Sequence, residues 1–244
     1  MKRLLCLLIF LAMLLPLSGQ SSAWKEMVIA PSESVWASSS LTETIGGRRV
    51  TYGPEGLFDG NISSLWVEGA EGDGIGESVT VMTQQLITRV SVVNGFARSQ
   101  RLFGRNNRVR EVSLSFLAGM TAPGLVTELD FTLYFVKEKA VSGRYELKDG
   151  MELQSLALYP FEELQRNFYR ETIEQFSIEY PDLFAMALGE LGIPKNEWRD
   201  PLNQELIREI FGFFGVKITI EDVYKGTHYH DTCVSELEFE LEEF

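Results

Sequence analysis

Cysteine and histidine are scarce in this chain, with two of each in 244 residues. Cys6 lies within an N-terminal apolar run, so a processed chain keeps Cys233 alone. No internal disulfide can then hold the fold, and a hydrophobic core must do so. His228 and His230, with Asp231 and Cys233 close by, form the sole candidate for a transition-metal site or for the base of a catalytic triad; the plainer reading is a solvated loop. Basic residues are also few. Lys and Arg number 22 against 35 Asp and Glu, for a net charge of −13, which argues against nucleic acid or an anionic membrane as a partner recognised by charge. Beyond Leu17 no stretch is long and apolar enough to cross a bilayer. There is no Gly-x-Ser-x-Gly nucleophile motif, no internal repeat and no low-complexity tract. The expected class is therefore non-catalytic, although carboxylate pairs for acid–base hydrolysis are abundant.

The first 23 residues read as a signal peptide. Lys2 and Arg3 supply the charged start, Leu4 to Leu17 the apolar stretch, and Ser21-Ser22-Ala23 the small residues for cleavage. Cys6 lacks the preceding small residue of a lipoprotein signal. The expected location is secreted or periplasmic after cleavage near Ala23, with residues 24–244 forming one domain that carries an insertion.

Hydrophobic periodicity supports a mainly β chain. Val35 to Leu41 reads as a first strand leading into a loop, and Gly46-Gly47-Arg48-Arg49 as a turn. Ser78–Thr83 and Leu86–Asn94 are rich in β-branched residues and end at the Asn94-Gly95 turn. Arg98 to Arg110 is polar and basic and reads as a functional loop. Alternation resumes at Val112, Leu114 and Phe116, again at Leu129, Phe131, Leu133 and Phe135, and in short strands over Arg144 to Leu158. Near Pro160 the period lengthens. Phe161, Leu164, Phe168, Tyr169, Ile173 and Phe176 lie at helical spacing. Pro181 opens a second helix that Gly192 ends, and Asp200-Pro201 caps a third that runs to Phe214 and Gly215. Residues 160–214 are thus a helical insertion that packs on the sandwich or recognises a protein partner. Strands return at Val216, Ile218 and Ile220. In the last strand Leu237, Phe239 and Leu241 alternate with Glu236, Glu238 and Glu240, one core face and one acidic face.

The chain is organised around the loop from Tyr52 to Ser78. It is rich in glycine, which permits tight turns, and it carries Phe58, Leu65 and Trp66 as apolar pins and Asp59, Glu68, Asp73 and Glu77 as carboxylates. Rigid turns that expose carboxylates and carbonyls suit a hard cation or a polar ligand; an acidic surface loop is the alternative.

Several motifs together resemble the NADase-type glycan-binding domain, also described as the NAD glycohydrolase translocation domain, a discoidin-like member of the galactose-binding-like superfamily. They are Leu57-Phe58-Asp59-Gly60-Asn61, Trp66-Val67-Glu68-Gly69, Gly72-Asp73-Gly74-Ile75-Gly76-Glu77, Asn94-Gly95-Phe96, Asn106-Asn107-Arg108, Ile220 to Gly226, and then Tyr229, Asp231-Thr232 and Ser235-Glu236-Leu237. The resemblance implies a jelly-roll sandwich with its ligand loops at one end, and glycan binding without catalysis. It implies a structural calcium held by Asp59, Asn61, Ser64 and Glu236. It implies a sugar site drawn from Trp66, Glu68, Glu77, Asn106, Arg108, Tyr224 and Asp231, residue types that stack on sugars or hydrogen-bond them. Against these stand simpler roles. Trp66 can be a core anchor, Arg108 can pair with Glu68 or Glu77, Asp59 can cap its own turn, and Glu236 can lie on a solvated face. A protein-interaction module that uses the helices, with the sandwich as scaffold, is the alternative function.

Overall fold

The structure, a computed structural model, describes residues 23–31, 33–156 and 161–242. The expected signal peptide lies almost wholly outside the described residues, as does Pro160. Thirteen strands are described: β1 (Lys25–Ile29), β2 (Val35–Ala37), β3 (Thr42–Ile45), β4 (Arg48–Thr51), β5 (Trp66–Val67), β6 (Ser78–Thr83), β7 (Leu86–Asn94), β8 (Asn107–Met120), β9 (Thr132–Ala140), β10 (Tyr145–Glu146), β11 (Leu153–Leu156), β12 (Gly212–Tyr224) and β13 (Thr232–Glu242). The helices are α1 (Gln100–Arg105), α2 (Phe161–Glu179), α3 (Pro181–Leu191) and α4 (Pro201–Phe211).

The main sheet runs β11-β7-β13-β8-β12-β6-β2, with β9 also on β8 and β1 on β9. Nearly all of its pairs are antiparallel. The exception joins β13 to β8, parallel over Thr232–Asn107 and Cys233–Arg108 only. At this short seam the sheet folds over, so that β7 and β13 face β8, β12 and β6. A narrow interior space is lined by Val92, Val234 and Leu237 from one layer and Val79, Val112, Ile218 and Ile220 from the other. Trp66 and Leu57 fill its end, both buried. This is a β-sandwich whose inner faces alternate with outer polar residues, as the strand periodicity requires.

The helices form one continuous core with the sandwich. Phe168, Tyr169, Ile173 and Phe176 of α2 are buried. Gln165, also buried, accepts from the Ile87 N–H at 3.2 Å and donates to the Ile87 carbonyl at 2.7 Å. A side-chain amide thus continues the backbone pattern at the start of β7 and ties α2 to the sheet. Gly192 sits at φ +67 and closes α3, and the Asp200 carboxylate accepts from the Leu202 N–H at 3.0 Å to cap α4. One stripe of α4, Leu202, Leu206 and Ile210, stays exposed.

Six local readings change. The first strand is β1, which pairs with β9, and the one expected over Val35 to Leu41 is the second and ends at Ala37. Arg98–Arg110 is not a loop: Ser99 caps the short helix α1, and β8 begins at Asn107. Its basic composition hid this, since Arg108 is buried by ion pairing rather than by hydrophobicity. The third helix stops at Phe211, and the Phe213-Phe214 pair is already strand β12, with both rings buried. β9 begins at Thr132, leaving Leu129 exposed ahead of it. Arg48 and Arg49 belong to β4, which pairs with β3 as a hairpin around Gly46-Gly47. Glu236 leaves the acidic face of β13. A register shift against β7 between Val234 and Glu236 keeps Val234 to Leu237 buried without a break.

Candidate functional site

The loops between β4 and β6, after β7 and between β12 and β13 meet at one end of the sandwich. Three buried polar residues build this end. The Asn94 side chain donates to the Val109 carbonyl at 2.6 Å and accepts from the Val109 N–H at 2.9 Å. Asn107 donates to Asp73 Oδ1 at 3.0 Å and to the His230 carbonyl at 2.5 Å, and accepts from the Gly226 N–H at 2.7 Å. It therefore links the loop before β6 and the loop between β12 and β13 to the start of β8. Ser235 donates to the Gly95 carbonyl at 2.8 Å and accepts from the Ala97 N–H at 2.9 Å. Gly95 itself has φ +66, and a Cβ there would lie 2.5 Å from Arg108 Cγ and 2.8 Å from the Phe103 ring. Only glycine satisfies both the turn and the packing.

Between these loops lies a cleft of about 190 Å³. The rings of Tyr52, Phe96 and Tyr229, the carboxylates of Glu43 and Asp231, and the amide residue Asn106 line it over a floor that includes Leu65, Val67 and Cys233. The Tyr52 hydroxyl donates to Glu43 Oε2 at 3.2 Å. Burial, then the Glu43 charge beside it, raises the Tyr52 pKa, so the phenol stays a donor. Burial likewise raises the Cys233 thiol, which is inert as a nucleophile. Among the described residues no hydrogen bond or ion pair engages the Asp231 carboxylate.

Of the seven residues expected at a sugar site, Asn106 and Asp231 line this cleft. The Asn106 amide also donates from Nδ2 to the Leu102 carbonyl at 2.8 Å, and the other five are engaged within the scaffold. Trp66, 2 % exposed, donates from Nε1 to the Ser39 carbonyl at 2.9 Å. Glu68 is fully buried, and its two oxygens accept from the Thr232 N–H at 3.1 Å and the Ala70 N–H at 2.9 Å. Burial raises the Glu68 pKa against those two donors. Glu77 accepts from the hydroxyls of Ser38 and Ser39 at 2.6 and 2.5 Å. The Tyr224 hydroxyl donates to the Leu147 carbonyl at 2.9 Å. Arg108 pairs with Asp149, not with Glu68 or Glu77: Nε lies 3.0 Å from Oδ1 and Nη2 2.6 Å from Oδ2. Its Nη1 donates to the carbonyls of Asn106 and Lys225, and the guanidinium lies over the Phe103 ring.

The four residues expected at calcium lie together at the start of the organising loop. Asp59 accepts from the Asn61 N–H at 2.9 Å and the Ser64 hydroxyl at 2.5 Å, and Ser64 Oγ also donates to the Asn61 carbonyl at 2.8 Å. The Gly60 N–H donates to Glu236 Oε1 at 3.3 Å. Glu236 Oε2 is buried with no hydrogen-bond partner. Burial, reinforced by the nearby Asp59 charge, raises the Glu236 pKa. A buried, unpartnered carboxylate oxygen is costly unless a cation or a proton meets it, so these residues fit a hard cation. No cluster of three His, Cys, Asp or Glu side chains suited to a metal, at His228 and His230 or elsewhere, occurs among the described residues. His230 instead approaches Asp73, which Lys225 also pairs.

Sequence reasoning passed over Glu43, Tyr52, Phe96 and Tyr229 as site residues. Phe96 and Tyr229 each stand just beyond a turn or within a loop of the quoted motifs, the one signal that marked them. Glu43 had none, because it reaches the cleft only through the fold of the β3–β4 hairpin.

The fold is thus an antiparallel sandwich with loops gathered around a cleft at one end. The family model of the NAD glycohydrolase translocation F5/8 type C domain matches residues 30–152. That is half of the chain, and the chain belongs to this family. The match includes α1 but stops short of α2, α3 and α4, and the motifs from Ile220 to Leu237 lie beyond it, although β12 and β13, which flank and carry them, pair with β6, β7 and β8 inside it. Among solved structures, the arabinofuranosyltransferase AftD from Mycobacteria is similar at 13 % identity with a TM-score of 0.41, over 90 % of this chain and 11 % of that one. This chain thus spans a small part of that protein's length. No curated protein is a significant match.

Proposed function

We propose that this protein is a non-catalytic glycan-binding module that acts outside the cytoplasm. The observation that carries the reading is the cleft at the loop end, where Tyr52, Phe96 and Tyr229 stand beside Glu43, Asp231 and Asn106. Aromatic faces stack on the C–H faces of a sugar ring, while carboxylate and amide groups accept from and donate to its hydroxyls. Trp66, Glu68, Glu77, Arg108 and Tyr224 then serve by holding the loops. Asp59, Asn61, Ser64 and Glu236 would hold a calcium ion that fixes the organising loop to β13. The signal-peptide pattern of the first 23 residues supports export.

A glycan-array screen tests the binding reading. Specific hits that are lost in Tyr229→Ala and Asp231→Asn, with the fold intact, support it; hits unaffected by both variants remove the cleft from the account. The exposed stripe Leu202, Leu206 and Ile210 favours a second reading, docking of a protein partner on α4. A blank array together with partner capture lost in Leu206→Glu would favour it.

A further inference from the structure

We infer that the ligand of this cleft carries a protonated amine, which makes its glycan an amino sugar with a free amino group. The inference rests on the glycan-binding reading above and narrows it. Three observations carry it. First, two carboxylates, Glu43 and Asp231, line one cleft of about 190 Å³, and no lysine or arginine lines it with them. Second, Asp231 has no hydrogen-bond or ion-pair partner among the described residues, while Glu43 has only the Tyr52 hydroxyl. A carboxylate is an acceptor only, and an ammonium group brings it three donors together with the opposite charge. Third, Tyr52, Phe96 and Tyr229 present ring surfaces that attract a cation. Arg105 illustrates this at the rim: its guanidinium lies 5.1 Å from the Tyr229 ring centroid and donates to the Tyr229 hydroxyl at 3.2 Å. The volume is below the roughly 300–1,000 Å³ of pockets for drug-sized ligands, which suits one sugar ring bearing the amine rather than a long buried chain.

Calorimetric titration of the whole protein with matched oligosaccharide sets tests this. Each set shares one backbone, in gluco and galacto forms, and differs only in a free amine, an acetylated amine or a hydroxyl at the same carbon. The measurement is made at a mildly acidic pH that keeps the amine protonated. The expected result is that the free-amine member binds at least about tenfold more tightly than the other two, as for a charge-assisted contact, and that Glu43→Gln and Asp231→Asn each remove most of that preference. Glu209→Gln on α4 controls for general attraction to an acidic protein and should leave it unchanged. Equal binding of the acetylated or hydroxyl member overturns the amine inference and leaves glycan binding standing. A preference that survives both cleft variants, or falls equally in Glu209→Gln, also overturns it. No binding by any member overturns both. Melting curves of each variant confirm that a lost preference is not lost folding.

Discussion

Replacing Arg108 by alanine removes a guanidinium whose side chain is 8 % exposed and whose carboxylate partner, Asp149, is 42 % exposed. Breaking a fully buried pair costs about 3–5 kcal/mol. Asp149 keeps contact with water, so its half of that penalty is screened. The remaining loss is concrete. The carbonyls of Asn106 and Lys225 lose their donor at 3.2 and 2.9 Å, and the Phe103 ring loses the cation above it. A buried acceptor left unmet costs about 1–3 kcal/mol. The total for Arg108→Ala is about 3 kcal/mol, which for a domain of this size lowers Tm by roughly 6–12 °C. Arg108→Lys keeps the charge but not the two-pronged geometry and should recover less than half. Asp149→Asn should cost about 1 kcal/mol. Thermal melts and a double-mutant cycle on Arg108 and Asp149 measure these terms. An Arg108→Ala protein that melts like the parent yet no longer binds its ligand would refute the reasoning, because Arg108 would then be a contact rather than a brace.

Other consequences follow from the same geometry. Glu236→Gln keeps the acceptor for the Gly60 N–H and removes the charge on the orphaned oxygen; in chelator it should melt at or above the parent, and calcium should raise the Tm of the parent but not of the variant. Equal calcium shifts in both, or none in the parent, would remove the metal from the account. Glu68 and Glu236 both have folded pKa values raised by burial. The folded protein therefore binds protons more tightly than the unfolded chain, and their contribution weakens as pH rises through the window above the ordinary glutamate value. Asp73 runs the other way: pairing with Lys225 and hydrogen bonding from Asn107 lower its pKa, and its contribution is lost as pH falls below the ordinary aspartate range. In chelator the Tm should accordingly be highest at mildly acidic pH, and a Tm that climbs steadily to neutral pH would contradict this. Gly95→Ala should destabilise by about 2 kcal/mol or more through strain and overlap with Arg108 and Phe103, read as an earlier chemical-denaturation midpoint; an unchanged midpoint would mean that the turn adapts.

How much of this was legible in the sequence varied with the physics involved. β6 and β7 were readable to the residue, because both are rich in β-branched residues and β7 ends at the Asn94-Gly95 turn signal. The Gly192 stop of α3 and the Asp200 cap of α4 were readable because capping is local chemistry. β8 was hidden at its start because Arg108 is buried by a partner forty-one positions away, and no local pattern reveals such pairing. β13 was read as a two-faced strand, but the register shift that buries Glu236 depends on β7 beside it. The candidate site was split in the same way. The motifs lie on the loops that meet at this end of the sandwich, and Asn106 and Asp231 line the cleft between them. The large and charged residues that drew most notice, Trp66, Glu68 and Arg108, proved to be occupied in holding those loops. A residue type suited to ligands is also suited to buried polar scaffolding, and only the partners distinguish the two. Glu43 and Tyr52 enter the cleft through the β3–β4 hairpin, whose placement is tertiary.

The most direct test of glycan binding in the loop-end cleft is an array screen of the folded protein, in calcium and then in chelator, beside Tyr229→Ala and Asp231→Asn. The account predicts specific hits that both variants lose and that chelator weakens. A blank array from correctly folded protein, or hits that both variants retain at full strength, would contradict it.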